Sequence, residues 1–150
     1  MSRAFMPLLH ASREARLVNI SSLFGLIAPP GQTAYAASKY AVRGFSNSLR
    51  HELEGTNIGV TVVHPGGIAT AIAKNARIAS GINNVDVEAE RRKFQAFLKM
   101  PPEKAGETIV RAVERRKGRI LIGNDAKAAS FIERLFPVSY WKIIGGQMKR

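Results

Sequence analysis

Tyr35 and Lys39 stand four residues apart in the segment Tyr35-Ala-Ala-Ser-Lys39, and Ser22 precedes the tyrosine by thirteen residues. Residues at i and i+4 share one face of a helix, so this spacing predicts the Lys39 ammonium beside the Tyr35 phenol, with a strand-to-loop turn returning Ser22 to the same place. A free tyrosine has a pKa of about 10, and a neighbouring positive charge typically lowers an acid's pKa by about 1–3 units, which brings such a phenol toward a useful proton donor and acceptor near neutrality. That is general acid–base chemistry. The serine hydroxyl adds a donor to a carbonyl oxygen, where charge builds when a hydride arrives at the carbon. The Tyr-x-x-x-Lys pair alone is unspecific, because a tyrosine and a lysine on a solvated helix surface satisfy it equally well.

The elements that must position these groups follow from periodicity and breakers. Ala4 to Arg13 is helix-like without a clear N-cap and reads as the tail of an element begun earlier. Arg16 to Ile20 is a short apolar run suited to a buried strand, and Ser21 to Gly31, with Gly25 and the pair Pro29-Pro30, reads as a loop. From Gln32 to Glu54 the only Gly or Pro is Gly44, and Val42, Phe45, Leu49 and Leu53 recur as the expected buried face of a long helix that Gly55 stops. Ile58 to Val63 is a second strand, ended by His64-Pro65-Gly66-Gly67. Ile72 to Asn84 is polar, and Val85 to Lys99 is a charged amphipathic stretch read as a mobile lid. Pro101-Pro102-Glu103 opens a helix reaching Lys117, with Ala105, Ile109, Ala112 and Val113 as its buried stripe. Gly118 closes it, Arg119 to Ile122 is a third strand, and a helix from Asp125 to Leu135 precedes an amphipathic end containing Tyr140 and Trp141. Strand, helix, strand, helix, strand predicts an α/β fold: a parallel sheet with flanking helices, right-handed crossovers and ligands at the carboxyl ends of the strands.

Composition narrows the function classes. A chain of 150 residues has room for one domain, and 45% hydrophobic against 23% charged residues is globular rather than disordered composition. No cysteine is present, which excludes disulfide scaffolds, thiolate zinc sites and cysteine nucleophiles and makes a cytoplasmic setting the expectation. With no apolar run of about 18 residues and no basic-then-apolar start, neither a membrane span nor a secretion signal is expected. The net charge of +12 lies mostly in the second half, where residues 71–150 hold 17 Lys/Arg against 8 Asp/Glu. Glu88, Glu90 and Glu114 interrupt its clusters and aromatics are not interleaved, so it reads as a solvated basic face and no nucleic-acid partner is expected. His10, His51 and His64 have no second ligand at metal spacing, so no metal is expected and each reads as a surface or helix-end histidine. A serine hydrolase is disfavoured, since neither a histidine oriented by an acid nor G-x-S-x-G accompanies Ser22.

Taken together, Asn19-Ile-Ser-Ser22, Gly25, Tyr35-Ala-Ala-Ser-Lys39 and Pro65-Gly66-Gly67-Ile68-Ala69-Thr70 resemble the short-chain dehydrogenase/reductase family. The resemblance is specific from about Phe5 to Thr70 and looser to Ile122. It implies the carboxyl-terminal portion of a Rossmann-like doubly wound fold, and an enzyme that transfers a hydride between NAD or NADP and a small-molecule carbonyl or alcohol. By the same resemblance Tyr35 is the acid/base, Ser22 orients the carbonyl, and Lys39 holds the nicotinamide ribose and lowers the tyrosine pKa. Pro65, Gly66, Ile68 and Thr70 become candidate cofactor contacts together with Tyr35 and Lys39, Ile68 offering backbone groups to the carboxamide. Asn19 and Ser21 are expected to be structural. The family's Gly-rich phosphate turn, ribose selector, Asn-Ala-Gly strand and catalytic asparagine have no counterpart in the sequence. Residues 1–150 therefore read as one partial domain without the amino-terminal cofactor-binding half, inactive or impaired when acting alone, and the choice between NAD and NADP stays open.

Two further expectations concern partners. The resemblance implies a dimer or tetramer built through the helix Gln32 to Glu54 and its predecessor. The alternative is a non-catalytic interaction module or fragment that pairs through the sheet edge at Leu17 to Ile20. Phe131 to Ile144, with Tyr140 and Trp141, is expected to cover the core or an interface, contact with a membrane surface being the less favoured reading. The stretch Ala71 to Lys99 suggests an apolar pocket for a lipid-like or aromatic carbonyl.

Overall fold

The computed structural model of the chain describes residues 2–75 and 87–148. In chain order the elements are α1 (Ser2–Ala11), β1 (Ala15–Ile20), a short 3-10 turn (Leu23–Gly25), α2 (Thr33–Glu52), β2 (Ile58–Pro65), α3 (Ile72–Asn75), α4 (Val87–Phe97), α5 (Pro102–Glu114), β3 (Arg119–Ile122), α6 (Asn124–Leu135) and α7 (Tyr140–Met148). The strands form one parallel sheet in the order β1-β2-β3, with Leu17 paired to Val60, Ile20 to Val63, Val63 to Ile120 and Pro65 to Ile122. The central strand reads Ile-Gly-Val-Thr-Val-Val-His-Pro, rich in β-branched residues as a strand covered on both faces requires.

Period-two alternation sorts the core into two faces. Val60 points toward α1 and α2, where it joins Ala15, Leu49, Leu53 and Ile58. Val63 points the other way, onto Ala105 and Ala112 of α5 with Ile120 and Ile122 of β3. A third cluster lies at the carboxyl end of the sheet: Leu23, Phe24, Leu26 and Ile27 pack on Ala36 of α2 and on Ala126 and Ala129 of α6, with Tyr140 and Ile144 of α7 against them. Within the segment Ser21 to Gly31, expected as a loop, Leu23 to Ile27 is thus a piece of core without strand or long helix, while Ala28, Pro30 and Gly31 are exposed.

Three expectations shift. Phe45 does not belong to the buried face of α2; it is exposed, and the residues buried there are Ala36, Ser46 and Leu49. A serine takes the apolar place because its Oγ accepts from Asn19 Nδ2 (3.0 Å) and donates to the Val42 carbonyl (2.7 Å), so burial leaves no polar group unpaired. Strand β2 runs two residues beyond Val63, because the ladder to β3 continues through His64 and Pro65. Of the charged stretch from Val85 to Lys99, Val87–Phe97 is helix; residues 76–86, within the polar segment and the start of the expected lid, lie outside the described residues.

Candidate active site

All three strands end on one side of the sheet, and the candidate residues gather there. Ser22 lies two residues beyond the end of β1 and caps the 3-10 turn, its Oγ accepting the Phe24 N–H at 3.1 Å. The Phe24 ring meets Tyr35 edge-on at 6.0 Å between centroids. One turn further along α2, the Lys39 ammonium lies 5.5 Å from the centre of the Tyr35 ring and donates to the Ile20 carbonyl at 3.3 Å. The i, i+4 relation therefore holds in space, and Ser22 is tied to Tyr35 through Phe24. Tyr35 is 38% exposed, and its hydroxyl bonds to nothing among the described residues. Ser21 and Asn19 serve α2: the buried Ser21 Oγ donates to the Lys39 carbonyl at 2.8 Å, and Asn19 bonds Ser46. Gly25 is needed for this seat, since a Cβ there would meet Ser21 Oγ and the Lys39 carbonyl.

The Pro-Gly segment leaves the end of the neighbouring strand. Pro65 is the last residue of β2, and the Gly66 N–H bonds the Ile122 carbonyl at 2.9 Å. Ile68 forms a parallel bridge with Met100 made through the Gly67 carbonyl and the Ala69 N–H, so the Ile68 N–H is not used by it. Thr70 is exposed and donates its N–H to the Ile68 carbonyl at 2.8 Å. The two glycines are explained by packing. A Cβ on Gly66 would fall on the carboxylate of Asp125, and one on Gly67 would fall on the Phe97 carbonyl. Asp125, in the first turn of α6, also accepts the Gly67 N–H at 2.7 Å and so pins the segment from below.

Sequence reasoning missed Asp125, which lies fifty-eight residues from its partner. It also misread His64, which is neither at the surface nor at a helix end: it is 0% exposed, on β2, with Nδ1 2.9 Å from the Ser22 carbonyl and no partner for Nε2. Burial, with the charges of Arg119 and Arg43 adding to it, pushes the His64 pKa down to about 4 against a hydrogen bond that acts the other way. The only signal was its place between Val63 and Pro65, where strand alternation assigns it to the face of Val60 and Val62. His10 and His51 are exposed, as expected. No group of three metal-ligating side chains occurs among the described residues. A cleft of about 490 Å3 opens at the opposite end of the sheet, among Arg13, Arg16, Arg50 and Arg116, and includes none of the candidate residues.

The family model described as short chain dehydrogenase matches residues 1–81, slightly more than half of the sequence, a span that includes Ser22, Tyr35, Lys39 and Pro65 to Thr70. The chain belongs to the short-chain dehydrogenase family. Within that family it is 44% identical over 146 residues to SadH of Mycobacterium tuberculosis, which carries an oxidoreductase name; the match covers 95% of this chain and 52% of SadH. A Burkholderia phymatum short-chain dehydrogenase/reductase solved in complex with NAD superposes with a TM-score of 0.76 at 25% identity, covering 89% of this chain and 52% of that one. One from Burkholderia cenocepacia, solved with NADP, has a TM-score of 0.73 at 21% identity, with 95% and 52% covered, and bears on the fold alone. The chain thus spans about half the length of the short-chain dehydrogenases it matches, and the parallel sheet with flanking helices is part of their Rossmann-like architecture.

Proposed function

We propose that this chain carries the acid–base and nicotinamide side of an NAD(P)-dependent oxidoreductase acting on a small-molecule carbonyl or alcohol. The observation that carries the reading is the Tyr35–Lys39 pair, held at the carboxyl end of β1 by the bond from Lys39 Nζ to the Ile20 carbonyl and standing beside the Ser22 turn. The donor set fits the nicotinamide-ribose end of a dinucleotide. Lys39 commits one ammonium proton to Ile20, leaving two for a ribose diol, and the Ile68 N–H faces no partner in its bridge. A pyrophosphate cradle is a different matter, since no G-x-G-x-x-G occurs in the sequence.

Bound reduced nicotinamide supplies the hydride. In the reducing direction the Tyr35 O–H bond breaks and its proton passes to the substrate oxygen, while Ser22, whose Oγ already accepts from Phe24, donates its own O–H to that oxygen. In the oxidising direction the step runs backwards, the deprotonated Tyr35 oxygen taking the alcohol proton and re-forming its O–H bond. Lys39 Nζ stands 5.5 Å from the centre of that phenol ring. The test is NAD(P)H titration and turnover with a panel of carbonyl compounds: measurable binding, with turnover abolished in Tyr35→Phe, supports the reading, and a folded chain with no detectable binding overturns it for this polypeptide.

The same reading includes self-association through α1 and α2, whose Phe5, Leu8 and Phe45 are exposed. A second reading, as a non-catalytic pairing module, is favoured by β1: among the described residues its outer edge has no neighbouring strand, and Ile20 is exposed. Size-exclusion chromatography with light scattering separates them when combined with Val18→Pro, since the alternate N–H groups of Ala15 and Ser21 bond the β2 side and leave that of Val18 on the outer edge. Proline at the edge disrupts strand pairing, whereas Phe45→Arg disrupts association through α2.

A further inference from the structure

His64 is the buried titratable group that this chemistry leaves unused. It shares a sheet face with Val60 and Val62, both of which are buried. An imidazole at such a position loses its water and is retained without penalty only if its polar atoms are paired. One of them is: Nδ1 lies 2.9 Å from the Ser22 carbonyl. A carbonyl oxygen only accepts, so Nδ1 carries the proton and the neutral ring leaves Nε2 as a bare lone pair, for which the described residues offer no donor. The Ser22 carbonyl receives a second bond, from the Gly25 N–H at 3.0 Å, and the Ser22 Oγ receives the Phe24 N–H. Both lone pairs of the carbonyl are therefore occupied, one lone pair of the hydroxyl is occupied, and the hydroxyl proton is the uncommitted polar group of the residue.

We infer that His64, as the Nδ1–H tautomer, is a positioning residue that fixes the Ser22 peptide from beneath the sheet end and so aims the Ser22 hydroxyl proton at the substrate oxygen. The inference deepens the oxidoreductase reading and rests on it for the identity of the target oxygen, but the bond itself is testable without turnover. The Gly25 bond alone leaves the Ser22 carbonyl free to swing about the turn. The second donor, rooted in β2, removes that freedom and references the hydroxyl to the same strand from which the Pro-Gly segment departs. Packing alone does not explain the choice of residue, since a leucine or a valine continues the Val60–Val62 face.

The side-chain amide of asparagine places a donor where Nδ1 stands, and that of glutamine places one where Nε2 stands. His64→Asn, His64→Gln and His64→Leu therefore separate positioning from packing, which would rank glutamine and leucine above the smaller asparagine. Two measurements on the 150-residue chain decide it. In imidazole 15N spectra near neutral pH, the wild type shows a protonated Nδ1 and an unprotonated Nε2, and the Ser22 carbonyl 13C shift is retained in His64→Asn and displaced in His64→Gln and His64→Leu. In turnover, His64→Asn stays near wild type, while the other two lose kcat by about 10²-fold, the scale of a reacting group misplaced by about 1 Å, with KM little changed. An Nε2–H tautomer, a Ser22 carbonyl indifferent to all three substitutions, or equal kcat loss in all three overturns the inference. A wild-type chain without turnover overturns the oxidoreductase reading for this polypeptide, and the spectra still decide the role of His64 at Ser22.

Discussion

At the scale of single residues, the Tyr35 hydroxyl has no partner among the described residues, so its removal is a change in chemistry rather than in stability. Tyr35→Phe is expected to lower kcat by about 10²–10⁴-fold, the range of a lost general acid–base, while leaving the urea midpoint in place. Ser22→Ala removes a cap as well as a donor and is expected to cost about 1 kcal/mol of stability in addition to activity. His64 sets a pH dependence. Its folded pKa of about 4 lies below the ordinary 6.5, so the unfolded chain binds the proton more readily between those values. The stabilising contribution is complete above about pH 6.5 and is lost as the pH falls toward 4. Denaturation at about pH 7.5 and about pH 5 is expected to differ by about 2 kcal/mol in the wild type from this group, a difference absent from His64→Asn. The Tyr35–Lys39 pair was legible because i, i+4 geometry is local. His64 was not, because the same three letters, His-Pro-Gly, describe an exposed loop unless β3 is known to extend the ladder past Val63.

Whole elements tell a similar story. The three strands and the long helix follow from runs of β-branched residues and from the spacing of breakers, and their boundaries in the structure fall within one or two residues of those signals. Two features depended on partners far away in sequence. Ser46 is buried because Asn19 reaches it, and this turns α2 so that Phe45 faces outward. The segment Leu23 to Ile27 is core because α6 and α7 close over it, with the Tyr140 hydroxyl accepting the Ala28 N–H at 3.0 Å. α6 also governs the Pro-Gly segment through Asp125. Asp125→Ala leaves the Gly67 N–H unpaired and is expected to cost roughly 1.5–3 kcal/mol in urea denaturation, as for a hydrogen bond to a charged group, and to loosen the Gly66–Thr70 amides in hydrogen exchange. Gly66→Ala is expected to be destabilising for the complementary reason, its Cβ colliding with the same carboxylate.

For the molecule as a whole, the sheet places Ser22, Tyr35, Lys39 and the Pro-Gly segment at one end and the arginine-lined cleft at the other, so that cleft and the candidate chemistry are spatially separate. The expectation that the carboxyl-terminal stretch covers the core holds for Tyr140 and Ile144, whereas Phe131, Leu135, Phe136 and Val138 remain exposed. No described helix is long and apolar enough to cross a membrane. What the sequence lacks, a glycine-rich phosphate turn, shapes the central proposal, that the residues present serve the nicotinamide end and not the adenylate. The most direct measurement is a paired fluorescence titration of the chain with NADH and with reduced nicotinamide mononucleotide, repeated in Lys39→Met. The account predicts similar affinities for the two, each weakened about tenfold or more by loss of the ammonium, the scale of a charge-assisted hydrogen bond. Binding of neither compound, or binding that ignores Lys39, would contradict it.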